Sequence, residues 1–172
     1  TPFLVQTNYK SFDEYLQKLS KKSLYNYKET MKKFNNFLYE KLSFQNGIYL
    51  KDSFEYLWSK QLIRGHSINK PNITLQNNTH FFCCKINNEI VMLHIIEYYK
   101  NYIYCHMPMY DKNKYNGIAK YAWFNLIKYV IENTDKIGID MGGVCGRDFS
   151  HHCNGRCNQD FTCIIKNRKY LT

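Results

Sequence analysis

The sequence predicts an α+β domain: an antiparallel strand meander continued by a parallel strand, with helices packed on the sheet. Three observations predict it. Two apolar runs at residues 81–86 and 89–98 flank Asn87-Asn88, a turn pair that tolerates positive φ. Residues 102–143 read as strand, short loop, helix, strand and a Gly-Gly turn, a unit that normally carries its two strands in parallel. The first 63 residues carry helical rather than alternating periodicity.

Taken in order, the chain begins extended. Ser11-Phe12-Asp13-Glu14 has the form of a capping box and opens a short helix through Leu19. After a break at residues 20–23, a longer helix is expected over 24–42, with Leu24, Tyr27, Met31, Phe34 and Leu38 as its core-facing stripe. Asn46-Gly47 is a turn, and Asp52-Ser53-Phe54-Glu55 has the spacing that starts a third helix, to about Ile63. Residues 64–79 are polar and read as a long surface loop with a short strand near Ile73. The hairpin follows, then the turn Lys100-Asn101. The strand at 102–107 is broken at Pro108, which cannot donate to a ladder. The polar loop 111–116 leads through Gly117 into a helix over 118–131, whose Ile118, Tyr121, Ala122, Leu126, Tyr129 and Val130 recur at helical spacing. Asn133-Thr134-Asp135 stops that helix, and a buried strand at 137–139 ends at Asp140.

The chain has 172 residues, 44% hydrophobic and 17% aromatic, enough for one folded domain and too apolar for disorder. It divides into a helical N-terminal part (1–63), a sheet core (80–143) and a Cys/His-rich tail (144–172). A start at Thr1 rather than Met fits an excised domain or a processed product. A formal charge of +10 favours anionic partners such as nucleic acid or a nucleotide-bearing cofactor, although biased composition gives the same count. No apolar run reaches bilayer-spanning length, so no membrane partner is expected. Seven cysteines, an odd number with Cys83, Cys84 and Cys105 in strand-like segments, fit buried thiols in a reducing, cytoplasmic compartment.

Chemistry concentrates in three places. In Lys114-Tyr115-Asn116-Gly117-Ile118-Ala119, glycine permits close backbone approach and the helix N–H groups that follow can cradle a pyrophosphate; a plain turn is the alternative. His106 ends the strand before that loop and is a candidate general base, or else a strand histidine satisfied by a neighbour. Asp140 stands at the carboxyl end of the last strand, where its carboxylate either holds and deprotonates an amine or caps the following turn. Tyr104 and Tyr110 are candidate phenolic acids. His94 and Glu97 lie on opposite faces of their strand, so only one can enter a site. The tail offers Cys145, His151, His152, Cys153, Cys157 and Cys163. That is enough for one zinc, yet it lacks paired Cys-x2-Cys knuckles; the site reading takes no metal ligand, and disulfides or a pocket wall are the other uses.

The order of elements, with KYNGIA opening the helix after the strand, resembles the acyl-CoA-binding core of the GNAT N-acyltransferases. There a Gln/Arg-x-x-Gly-x-Gly/Ala loop holds the coenzyme A pyrophosphate; Lys114, Gly117 and Ala119 match its framework, with Lys where Gln or Arg is usual. SFDEYLQKLSKKSLYNYKETMKKF (11–34) and KIGIDMGG (136–143) are similar to the FemAB-like and sugar-N-acyltransferase-like branch, with Ser23-Leu24 where Arg is usual. The resemblance implies transfer of an acyl group, acetyl from acetyl-CoA first, to an amine such as an amino sugar or nucleotide-linked amino sugar. It implies a cofactor site at Cys105, Met107, Lys114, Asn116, Gly117, Ile118 and Ala119, with His106, Asp140 and Tyr110 catalytic. An aminoacyl-tRNA-dependent transferase and a non-catalytic binding module are the competing readings.

Overall fold

The computed structural model describes residues 3–43, 47–62, 79–106, 108–141 and 156–157. Among them the elements run β1 (Phe3–Gln6), α1 (Phe12–Lys18), α2 (Lys21–Lys33), β2 (Leu38–Lys41), α3 (Gly47–Leu62), β3 (Thr79–Ile86), β4 (Glu89–Tyr99), β5 (Tyr102–Cys105), β6 (Met109–Tyr110), α4 (Ile118–Asn133), β7 (Gly138–Asp140) and β8 (Arg156–Cys157). They build one mixed sheet in the order β2-β3-β4-β5-β7-β1-β8, with β6 beside β4. The β5–β7 pair is parallel and the other pairs are antiparallel.

Side chains alternate between two faces. Phe82, Ile96, Ile103 and Ile139 point to one, where they meet Phe12 and Tyr15 of α1 and Phe124, Leu126, Ile127 and Val130 of α4. Phe81, Leu93 and Ile95 point to the other, under Phe54 and Leu57 of α3. Phe54 and Leu57 are 0% and 1% exposed, so each anchors α3 by about 1.5–3 kcal/mol of apolar transfer.

The capping residues act as the sequence indicates at α1, where the Ser11 hydroxyl accepts from the Glu14 N–H. The second helix differs from its expected span. It starts at Lys21 because the Ser20 hydroxyl accepts from the Ser23 N–H at 3.1 Å, and it stops at Lys33. Phe34 leaves helical geometry, and the Phe37 N–H turns back to the Phe34 carbonyl. Leu38 therefore belongs to edge strand β2 and is 56% exposed, not part of a core stripe. The third helix begins at Gly47, which puts Asp52 inside it rather than at its start. The loop expected at 64–79 lies outside the described residues, except Thr79 in β3.

The hairpin turn is built as its residues dictate: Asn87 and Asn88 take φ of 50° and 65°. Lys100 takes φ of 48° in the next turn. Beyond β5 the register slips. Ile96 faces Cys105 while Leu93 faces Met109, so β4 advances three positions where its partner advances four. The extra residue falls between Cys105 and Met109, the stretch that holds Pro108, which lacks an N–H. β5 covers 102–105 of the strand expected at 102–107, and β6, beyond Pro108, is an element not expected from the sequence.

Candidate functional site

The parallel ladder between β5 and β7 runs through Tyr102↔Gly138, Ile103↔Ile139 and Tyr104↔Asp140 and then ends. Past that point the His106 N–H donates to the Ile95 carbonyl of β4, and β6 pairs with β4 in turn. Among the described residues the β5–β7 register thus reaches Tyr104↔Asp140 and no further.

On the face turned away from α1, α2 and α4, one row of register partners crosses the sheet at this point. Glu97 faces Tyr104, Tyr104 faces Asp140, and Asp140 faces Leu4. Neighbouring side chains in such a row stand roughly 5 Å apart. His106 sits two residues beyond Tyr104 on the same face. Its backbone N–H donates to the Ile95 carbonyl at 2.9 Å, and its Nε2 lies 3.2 Å from Glu97 Oε1. The Tyr104 ring meets the imidazole edge-on, with centroids 5.0 Å apart at 82°. Asp140 is buried, and its carboxylate helps to hold the neighbouring Cys105 thiol far above its ordinary range, after burial itself. That thiol donates to the His106 carbonyl and points into the α4-side core.

The loop before α4 is held from several sides. Asp111 accepts from the N–H groups of Asn113 and Lys114 at 3.0 and 3.4 Å, and lies 3.9 Å from Lys60 of α3. Lys33 of α2 donates to the Asn116 carbonyl at 2.7 Å. Gly117 takes φ of 93°, a conformation that glycine adopts without strain, and α4 starts at the next residue. The N–H groups of Ile118 and Lys120 already donate to Tyr115 and Gly117 carbonyls, and the Ile118 side chain is core. Lys114 is exposed, its Nζ 5.2 Å from the Tyr115 ring centroid.

Several of the residues singled out from sequence come together: His106 and Asp140 share a face, while Lys114, Asn116, Gly117, Ile118 and Ala119 form the loop and first turn of α4. Tyr110 does not join His106. It packs beside Met92, Ile118 and Tyr121 on the opposite face. Met107 lies outside the described residues, as do the tail side chains of Cys145, His151, His152, Cys153, Cys157 and Cys163. Of that tail, Arg156 and Cys157 supply strand β8, paired with β1. Among the described residues no group of three His, Cys, Asp or Glu could hold a metal ion, and no helix is long and apolar enough to cross a membrane.

Two neighbours were missed. Glu97 was recognised only as lying opposite His94, and the register selects it: His94 is fully buried against Tyr39 and Trp123, whereas Glu97 meets His106. Lys33 carries no local signal, because its partner is 83 positions away.

No family model matches the sequence, and no curated protein matches it. Solved structures do. The C-terminal DUF2156 domain of a protein assigned as a lysylphosphatidylglycerol synthetase from Agrobacterium fabrum superposes with a TM-score of 0.61 at 8% identity, over 82% of this chain and 45% of that one. A protein of unknown function from Bacteroides thetaiotaomicron gives 0.63 at 11%, over 91% and 56%. An aminoglycoside acetyltransferase from an uncultured soil metagenomic sample, bound to sisomicin, gives 0.52 at 17%, over 73% and 91%. The chain thus spans about half the length of the first two. The fold is GNAT-like, with the mixed sheet and helices of that architecture.

Proposed function

We propose that the protein is an N-acyltransferase that moves an acyl group, acetyl from acetyl-CoA in the first instance, to an amine. The observation that carries this reading is the end of the β5–β7 register at Tyr104↔Asp140, with His106 and Asp140 on one face there and the α4 loop next in the chain. The pantetheine arm would lie along the chain that follows Cys105. Lys33, Lys114 and Lys120 supply positive charge around the loop for the pyrophosphate. Two N–H groups of the first turn are already engaged, so lysine charge carries more of that contact than backbone does.

His106 would take a proton from the acceptor ammonium, with Asp140 holding the amine against the thioester carbonyl. The acceptor we favour is an amino sugar, in keeping with the FemAB-like and sugar-acyltransferase likeness of residues 11–34 and 136–143 and with the aminoglycoside acetyltransferase of the same fold. The free thiols Cys83, Cys84 and Cys105 fit a reducing compartment such as the cytoplasm. A second reading, aminoacyl transfer from tRNA, is favoured by the charge of +10 and by the synthetase domain of like fold.

Thermal shift tests the donor. Acetyl-CoA at 100 times its dissociation constant stabilises by about 2.7 kcal/mol, a rise of roughly 5–10 °C for a chain of this size. No rise with any CoA species at low salt sinks the first reading. Steeply salt-dependent tRNA binding beside that result would install the second. With a donor and an acceptor in hand, His106→Ala and Asp140→Asn should each lower turnover at least a hundredfold.

A further inference from the structure

Glu97 and His106 come from different strands, and nothing in either local sequence announces their meeting. Their side chains are 26% and 25% exposed, so the pair is neither core nor free surface. The geometry is held on both sides. The Ile95 carbonyl fixes the His106 backbone, and the Tyr104 ring limits rotation of the imidazole. A carboxylate can only accept a hydrogen bond, and a neutral imidazole carries one N–H. At 3.2 Å from Glu97 Oε1, Nε2 must therefore hold that proton, which leaves Nδ1 as the lone pair. Nδ1 makes no hydrogen bond among the described residues.

We propose that Glu97 is a positioning residue: it keeps His106 in the Nε2–H tautomer, so that Nδ1 takes the proton from the acceptor ammonium. This rests on the acyltransferase reading. The ammonium gives one proton to Nδ1, and the imidazolium that forms is held by the Glu97 carboxylate. The freed nitrogen lone pair attacks the thioester carbonyl carbon and the C–S bond breaks. The leaving thiolate takes the second proton from the attacking nitrogen, and the imidazolium returns its proton to solvent. One amide and one thiol are formed, and no other reactant is needed. The same arrangement occupies Nε2 with the carboxylate, so Nδ1 is the nitrogen left to take the substrate proton.

The test reads the tautomer and the rate separately. Nitrogen-15 spectra of the whole protein without ligand, at a pH where the imidazole is neutral, should show His106 as a single Nε2–H form. In Glu97→Gln, whose amide can donate as well as accept, the two tautomers should mix. The same variant should lower kcat about tenfold to a hundredfold with KM within twofold and an unchanged melting temperature, and Glu97→Asp should recover part of the loss. A wild-type spectrum of the Nδ1–H form, or one that Glu97→Gln leaves unchanged, overturns the proposal. So does an unaltered kcat in Glu97→Gln when His106→Ala is inactive. If His106→Ala keeps full turnover, the acyltransferase assignment of that residue fails instead, while the nitrogen spectrum still decides whether Glu97 sets the tautomer.

Discussion

His94 makes the stability of this fold acid-sensitive in a window that can be worked from its surroundings. The imidazole is fully buried between β2 and α4, with Nδ1 3.2 Å from the Tyr39 hydroxyl and the ring 5.0 Å from Trp123. Nε2 has no hydrogen-bond partner among the described residues. Burial pushes the group down from 6.5 to about 3. The folded state therefore binds this proton less readily than the unfolded chain. Its stabilising contribution is complete above pH 6.5 and is lost as pH falls towards 3. At 1.36 kcal/mol per unit, about 2 kcal/mol should vanish between pH 7.5 and pH 5. Other groups in that pocket do not titrate there, since burial holds Tyr39, Cys84 and Cys105 far above their ordinary values and Cys83 at about 12. His94→Gln keeps a partner for Tyr39 and removes the titration. Urea unfolding of both proteins at the two pH values gives a double difference in which carboxylate and surface effects cancel. Wild type should lose about 2 kcal/mol more than the variant on acidification. Equal losses would mean that His94 is hydrated or already paired, and the reasoning would fall.

Three further outcomes follow from packing. Gly138→Ala should destabilise by about 1–3 kcal/mol in thermal unfolding, because an added Cβ would meet Leu4 Cδ1 at 2.8 Å and Tyr102 Cδ1 at 3.1 Å, where β1, β7 and β5 adjoin. Gly117→Ala meets only ordinary contacts, the nearest at 3.7 Å, so its cost is the backbone strain of a φ of 93°, about 1–2 kcal/mol, together with weaker donor binding by titration calorimetry. In native protein at pH 8, alkylation followed by peptide mapping should leave Cys83, Cys84 and Cys105 unmodified, while urea exposes all three; labelling of Cys105 without denaturant would contradict its burial.

Where interactions are local, the residues told the fold in advance. The Asn87-Asn88 hairpin, the Lys100-Asn101 turn and the helix expected over 118–131, which runs on to Asn133, each depend on neighbours within a few positions. The end of α2 was harder, because Leu38 continues the spacing of Leu24, Tyr27 and Met31 past the true stop. Nothing local distinguishes a helix that unwinds after Phe34 from one that proceeds; the pairing of β2 with β3 decides it from far along the chain. Lys33 reaches the α4 loop for a like reason, through tertiary placement alone.

Tyr110 shows the same limit acting on the site itself. From sequence Tyr110 is a candidate phenolic acid, and only an unbroken strand would carry 106 and 110 on one face by the period of two. One extra residue lies between Cys105 and Met109, the register moves from Ile96↔Cys105 to Leu93↔Met109, and the side chains beyond change sides. Tyr110 is thereby turned to Met92 and Tyr121, and the acid that the sequence reading sought there is not beside the imidazole. What stands beside it is Glu97, brought by the part of β4 that precedes the slip. The slip also lets the chain after Cys105 stay with β4 as far as Tyr110, while the parallel ladder ends at Asp140. One extra residue thus separates Tyr110 from His106, and it is invisible to a residue-by-residue reading because only the pairing with β4 reveals it.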